Sequence, residues 1–392
     1  RIYMKLDEFR SRRPIDILAR TNPVLIIDEP QSVEGEATRE RLLEFNPLMT
    51  LRYSATHKKD RIFNMVYRLD AMEAYNKRLV KKIAVKGITV SGSVATEGYV
   101  YLQSINLSKG NPTATIEFDY KGARSVRKVV RTVEEGYNLY PNSGELDEYK
   151  DGFTVLRIDG RDSSLEFTNG TKLFAGDVIG AVNEDQLRRI QIRESILSHI
   201  ERERQLFYKG IKVLSLFFID EVAKYKQYDE AGQALNGEYA DIFEQEYDQI
   251  LGEMQLVLDD ESYMAYLNGI IAAQTHAGYF SIDKRKGRLI DSKLGDRKER
   301  TSDDADAYDL IMKDKERLLD RKEPVRFIFS HSALREGWDN PNVFQICTLK
   351  QSGSEVRKRQ EVGRGLRLSV NQYGERMDVN TLGEDVHNIN VL

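Results

Sequence analysis

The run Asn-Pro-Val-Leu-Ile-Ile-Asp-Glu-Pro-Gln at residues 22–31 constrains this chain more than any other stretch. Residues 24–27 are apolar and rich in β-branched side chains, which predicts a strand of a parallel sheet covered on both faces. Two carboxylates, Asp28 and Glu29, stand at its end, and Pro30 stops it. In open α/β sheets ligands sit beyond the carboxyl ends of the strands, so these acids are placed to meet one. Such a pair suits nucleotide hydrolysis. Asp28 is expected to hold Mg²⁺ through water, and Glu29 to orient or deprotonate the attacking water. Gln31 is a neutral hydrogen-bonding group suited to reporting on the γ-phosphate. The bland alternative is a polar strand end. A second apolar run, 213–219, also finishes in an acidic pair, Asp220-Glu221, so the rest of the chain has to separate the two.

Helical and strand patterns alternate on both sides of a different middle. Residues 34–46 read as a helix with Leu42, Leu43 and Phe45 turned inward, ended by Pro47. Residues 48–53 read as a second buried strand, followed by the small polar tripeptide Ser54-Ala55-Thr56. Its hydroxyls suit bonding to the acidic pair and to a neighbouring domain; a capping turn is the plainer alternative. Residues 71–82 read as helical. From about 84 to 182, short alternating runs separated by Gly, Asn, Asp and Ser predict a mostly antiparallel β module, with a hairpin turn at Asn169-Gly170. Arg124, Arg127, Lys128 and Arg131 lie within it and read as a solvated face rather than a phosphate site. Residues 184–208 form a long helix with Leu187, Ile190, Ile196, Leu197 and Ile200 as its packing stripe. The βα alternation over 212–366 predicts a parallel sheet.

Two stretches of that second region carry chemistry. In Gln360-Glu361-Val362-Gly363-Arg364-Gly365-Leu366-Arg367, positions 360, 364 and 367 share one face if the stretch is helical. Forked guanidinium groups suit a triphosphate and its transition-state charge, an effect of about 10³–10⁵ in rate. Gly363 and Gly365 would each cost a plain surface helix about 1 kcal/mol, so they point to a close approach. Upstream, Ser330, His331 and Ser332 follow a strand and suit a nucleic-acid phosphate. Gly337 and Asp339 suit the nucleotide, Asp339 through its sugar or an arginine. Trp338, the only tryptophan, reads as packing.

Composition narrows the class. A chain of 392 residues suggests two or three domains, and 31% charged with 40% hydrophobic residues is ordinary for a soluble, cytoplasmic protein. The net charge of −4 excludes a globally basic nucleic-acid binder but not a motor with a local basic groove. The single cysteine, Cys347, excludes an internal disulfide and sits in an apolar run as a core residue. No apolar run approaches the roughly 18–20 residues that span a membrane. The chain begins with Arg1 rather than Met and is expected to be a piece of a longer protein.

Together these stretches resemble the motor core of superfamily-2 helicases and translocases. Asp28-Glu29-Pro30-Gln31 resembles motif II, Ser54-Ala55-Thr56 motif III, 214–220 motif IV, 330–339 motif V and 360–367 motif VI. The wording Asp-Glu-Pro-Gln, Ala-Leu-Arg-Glu-Gly-Trp-Asp-Asn-Pro-Asn-Val-Phe and Arg-Gln-Glu-Val-Gly-Arg-Gly-Leu-Arg-Leu is narrower and resembles the Res subunit of type III restriction-modification enzymes. The resemblance implies an α/β fold of two RecA-like parallel-sheet lobes, the first truncated, with an antiparallel β insertion between them: 1–70, 71–185 and 186–392. It implies ATP and Mg²⁺ as cofactors, double-stranded DNA and a Mod methyltransferase subunit as partners, and no membrane. It also implies a nuclease domain, yet no nuclease signature follows residue 370; the nearest look-alike is Ile290-Asp291-Ser292-Lys293. No Gly-x-x-x-x-Gly-Lys-Ser/Thr loop occurs anywhere in the chain, so this stretch alone is expected to bind ATP weakly and to turn over neither ATP nor DNA. Two other readings share the motifs: a superfamily-2 motor of another pathway, and a nucleic-acid-binding scaffold without ATPase activity.

Overall fold

The computed structural model describes residues 2–30, 35–54, 63–87, 90–91, 98–107, 110–255, 260–282, 289–290, 311, 315–330, 338, 340–350, 355–383 and 386–392. The chain divides into two compact units, Arg1–Lys77 and Arg78–Leu392.

In the first unit Val24–Asp28 pairs in parallel with Met49–Tyr53, and Glu36–Leu43 is the helix that crosses between them. The expected cover on both faces is absent. Val24 is 46% and Ile26 69% exposed, while Leu25 and Ile27 are half-buried. Among the described residues this sheet has two strands, so the face carrying Val24 and Ile26 has no layer over it. The connecting helix buries none of its residues. Leu43, expected inward, points to solvent, and Leu42 and Phe45 are only half-buried.

The second unit holds a mixed α/β fold, as a RecA-like lobe requires. Its centre is a six-stranded, all-parallel sheet in the order His276–Tyr279, Phe327–Ser330, Leu214–Phe218, Val343–Thr348, Asn388–Val391, Lys82–Val85. Leu214–Phe218, Phe327–Ser330 and the first five residues of Val343–Thr348 are buried throughout, as continuous apolar runs in a two-sided sheet should be. Cys347 is fully buried there, and burial pushes its thiol up to about 12. The helix expected over 71–82 is shorter, Ala71–Asn76, and the chain then supplies the edge strand Lys82–Val85.

Glu184–Phe207 begins at a capping box in which Asn183 and Gln186 exchange bonds. Its stripe packs as expected: Ile190, Ile196 and Ile200 are buried, and Leu187 and Leu197 half-buried. Near its end the buried Glu203 is joined to the buried Arg326 at 2.5 Å. The β module comprises a five-stranded sheet, antiparallel except for one pairing, and an antiparallel three-stranded sheet. Val126–Val133 is an outer strand of the larger sheet. Arg124, Arg127 and Arg131 are exposed on or beside it, and Lys128 bonds Asp119 at 3.2 Å. Tyr101 ties the module to the long helix by donating to Glu194 at 2.6 Å. Among the described residues no helix is long and apolar enough to cross a membrane.

Candidate active site

One group of expected site residues is built by the two parallel strands of the first unit. Their register sets Asp28 opposite Tyr53, so the residues that follow each strand leave the sheet side by side. The Glu29 amide donates to the Tyr53 carbonyl at 2.9 Å, which extends the ladder by one bond. Glu29 itself has φ +49°, the left-handed region that a β-carbon disfavours. That turn swings its side chain toward Ser54, whose hydroxyl donates to Glu29 Oε2 at 3.1 Å. A strained residue held by a partner strand is a common way to aim a functional group. The neighbouring Asp28 carboxylate is exposed.

Among the described residues no group of three or more His, Cys, Asp or Glu side chains could cage a metal. Mg²⁺ bound with a nucleotide does not need such a cage, because one or two carboxylates, water and phosphate oxygens fill its octahedron. The exposed Asp28 fits that mode of binding.

The other group of expected site residues lies in the second unit and differs from the expected geometry. The helix Glu355–Gly363 ends before the arginines, so Gln360, Arg364 and Arg367 do not share a helical face. Arg364 and Gly365 form a turn, and Arg367 lies in an isolated antiparallel bridge with Val80. The break has a packing cause. A β-carbon on Gly365 would stand 1.9 Å from Ile389 Cδ1 and 3.2 Å from Val343 Cγ1, so the chain there lies directly on the sheet. At Gly363 a β-carbon would meet open space. Of the two glycines, Gly365 therefore serves packing and not ligand approach. Arg364 is half-buried and its Nη1 donates to the Trp338 carbonyl at 2.7 Å, while Arg367 is exposed. Trp338 is buried, as expected, and donates its indole N–H to the Ile311 carbonyl at 2.7 Å.

Ser330 is not grouped with these arginines. It closes the strand Phe327–Ser330 at the carboxyl edge of the sheet, opposite Phe218, and is buried. Gly365 packs on Val343, which is opposite Leu214 at the amino edge. Four residues of strand separate the two edges, about 13 Å at 3.3 Å per residue. Gln360 is half-buried on the helix between them. Gln31, Thr56, His331, Ser332, Gly337 and Asp339 lie outside the described residues.

No family model matches the chain. Curated proteins do. The Res subunit of the Escherichia coli type III restriction-modification enzyme EcoP15I is 34% identical over 368 residues, covering 92% of this chain and 34% of that subunit. The EcoPI Res subunit of Escherichia phage P1 is 34% identical over 367 residues, with the same coverages of 92% and 34%. The chain is a relative of the type III Res subunits. The StyLTI Res subunit of Salmonella typhimurium agrees, at 30% identity over 407 residues, covering 93% of this chain and 37% of that subunit. The Res-like chain thus spans about a third of the length of the curated relatives it matches.

Two buried lysines that sequence reasoning passed over hold the arginine segment of this Res-like chain. Lys350 pairs with Glu361 at 2.7 Å, both side chains buried, and so fixes the helix Glu355–Gly363 to the end of the strand before it. Lys81 is buried at 1% exposure, and its ammonium faces the carbonyl oxygens of Pro341, Val343, Gly365 and Arg367 at 2.5, 3.1, 3.1 and 2.5 Å. Burial pushes its pKa well below the usual lysine range. The lysine's several N–H donors meet four acceptor carbonyls there. Nothing in the local sequence flags Lys81, since its partners are 260–286 residues away.

Proposed function

We propose that this chain is the central motor portion of a type III restriction enzyme Res subunit. It couples ATP hydrolysis to translocation or switching on double-stranded DNA ahead of cleavage, in the cytoplasm and with a Mod methyltransferase subunit. The observation that carries the reading is the strand end at Asp28-Glu29, where a strained glutamate is aimed by the neighbouring strand and bonded by Ser54. The kinship with Res subunits gives that geometry its biological setting.

In this reading residues 1–70 belong to a first RecA-like lobe and 186–392 to a second, to whose sheet Lys82–Val85 adds a strand. The β-rich part of 71–185 is an insertion between them. Asp28 would hold Mg²⁺ through water, and the cation would supply charge neutralisation to the phosphates. Glu29 takes the proton of the attacking water. Gln31 reads the γ-phosphate. Arg364 and Arg367 stabilise the charge that develops on it, with Gln360, Gly337 and Asp339 lining the nucleotide. Ser54 and Thr56 couple hydrolysis to movement, and Ser330, His331 and Ser332 sit along the nucleic-acid path. Because this sequence has no Gly-x-x-x-x-Gly-Lys-Ser/Thr loop, the stretch on its own binds ATP weakly and does not turn it over.

The test is ATP hydrolysis by the full-length gene product, with and without duplex DNA bearing the Mod partner's site. DNA-stimulated turnover is expected, and Glu29→Gln and Arg364→Ala should each abolish it. Glu29→Gln removes the base and not the metal contact, so nucleotide binding should survive it. Turnover that persists in either variant would sink the site assignment.

A further inference from the structure

Of the two lysines, Lys81 is the one that bonds the arginine segment directly. Around Lys81 the chain closes a knot of backbone contacts. The Lys81 amide donates to the Leu366 carbonyl at 2.8 Å, and Val80 bridges Arg367. Its ammonium reaches two further carbonyls of the arginine segment, Gly365 and Arg367, and two of the segment leading into Val343–Thr348, Pro341 and Val343. Among the described residues no carboxylate pairs with it, so its whole hydrogen-bonding capacity is spent on joining these two segments. The same segments meet at the arginine: Arg364 donates to the carbonyl of Trp338, three residues before Pro341. Gly365 fits flat against Val343 and Ile389 only because it has no β-carbon.

We infer that Lys81 is a positioning residue for Arg364, fixing the turn that carries the guanidinium in register with the segment that receives it. The inference rests on the role given to Arg364 above. A lysine suits the task because four converging carbonyl dipoles need a compact cation with several donors. A neutral side chain there leaves buried acceptors unmet.

A residue that only stabilises the fold would change the melting transition and leave turnover per folded molecule alone. A positioning residue changes kcat. In the full-length gene product Lys81→Met should lower kcat for DNA-stimulated ATP hydrolysis at least tenfold. KM for ATP should stay within threefold, and unfolding read by circular dichroism should stay cooperative. Combined with Arg364→Lys, it should lower kcat no more than threefold below Arg364→Lys alone, since both act through one guanidinium. A wild-type kcat in Lys81→Met, or losses that multiply in the pair, would overturn the inference. If Lys81→Met does not fold, Gly365→Ala displaces the same carbonyl by a different route. It should show the same kcat-selective loss, partly restored by Ile389→Ala, and an unchanged kcat there would overturn the inference equally. Arg364→Ala separates the two levels of argument. Full activity in that variant would sink the proposed function, whereas an inactive Arg364→Ala beside a fully active Lys81→Met would sink only the role of Lys81.

Discussion

Val24–Asp28 and Leu214–Phe218 are both five-residue strands that lead into an acidic pair. The first has a single parallel neighbour and alternates between exposed and half-buried side chains. The second lies between two parallel neighbours, and every residue is buried. Their acids differ as well. Asp220 pairs with Lys224 one turn on, at 3.2 Å, and Glu221 keeps an ordinary extended backbone with φ −133°. Glu29 has φ +49° and is bonded by the hydroxyl at the end of the adjacent strand. Acids matched by a lysine of their own next turn finish a strand. In the proposed reading, the acid held in a costly backbone conformation beside another strand is the one presented for use.

The largest effect should come from exchanging carboxylate for amide at the two ends. In the full-length gene product Glu29→Gln is expected to cut ATP turnover by more than about 100-fold, the scale of a lost general base. Glu221→Gln should change it less than about twofold. Equal losses at the two positions would erase the functional distinction between the strand ends.

Burial gives the next test. Phe217 is fully buried between two strands, and its ring stacks on Phe329 at 4.6 Å. Phe217→Ala should cost about 3–5 kcal/mol in denaturant unfolding followed by Trp338 fluorescence, which reports this unit alone. Ile26 is 69% exposed, and Ile26→Ala should shift the opening of its own unit by no more than about 0.5 kcal/mol. Hydrogen exchange at the Glu29 amide, which closes that ladder, measures it. A cost at Ile26 near that at Phe217 would show that the exposed face is covered in solution.

The strands and the long helix were legible because their signals are local. Apolar runs mark 24–28, 214–218, 327–330 and 343–348, and a stripe with a capping box marks Glu184–Phe207. The acidic strand end was legible for the same reason. What sequence could not supply is who stands next to whom. The same apolar run is buried or bare according to the number of neighbouring strands, and neither number is written in the run. The edge strand Lys82–Val85 is short, half polar and hydrogen-bonded to residues about 306 positions away, Lys82 opposite Asn388. The helix stop at Gly363 and the packing of Gly365 on Ile389 depend likewise on a strand further along the chain, Asn388–Val391. Spacing alone put three residues on one helical face, and the sheet beneath took Arg364 and Arg367 off it.

A further contrast concerns acid. The second unit buries an ion pair at its centre, whereas the ion pairs described within the first are exposed: Arg13–Asp16, Arg68–Asp70 and Lys77–Glu73. Exposed pairs contribute little. Burial pushes the Glu203 carboxyl up, but Arg326 beside it, with His199 and the Tyr263 hydroxyl, pulls it further down, to about 2. The folded value then lies below the ordinary 4.5, so the unfolded chain binds the proton more readily. The resulting stability is complete above about pH 4.5 and is lost as pH falls toward 2, roughly 3 kcal/mol in all. His199, which burial holds below the usual imidazole range, acts in the same direction. Unfolding followed at Trp338 should therefore weaken steeply between pH 5 and 2, and Glu203→Gln should flatten that dependence while lowering stability at pH 7. A pH profile as steep in Glu203→Gln as in the parent would place the acid sensitivity outside the buried pair and would leave the two units alike in this respect.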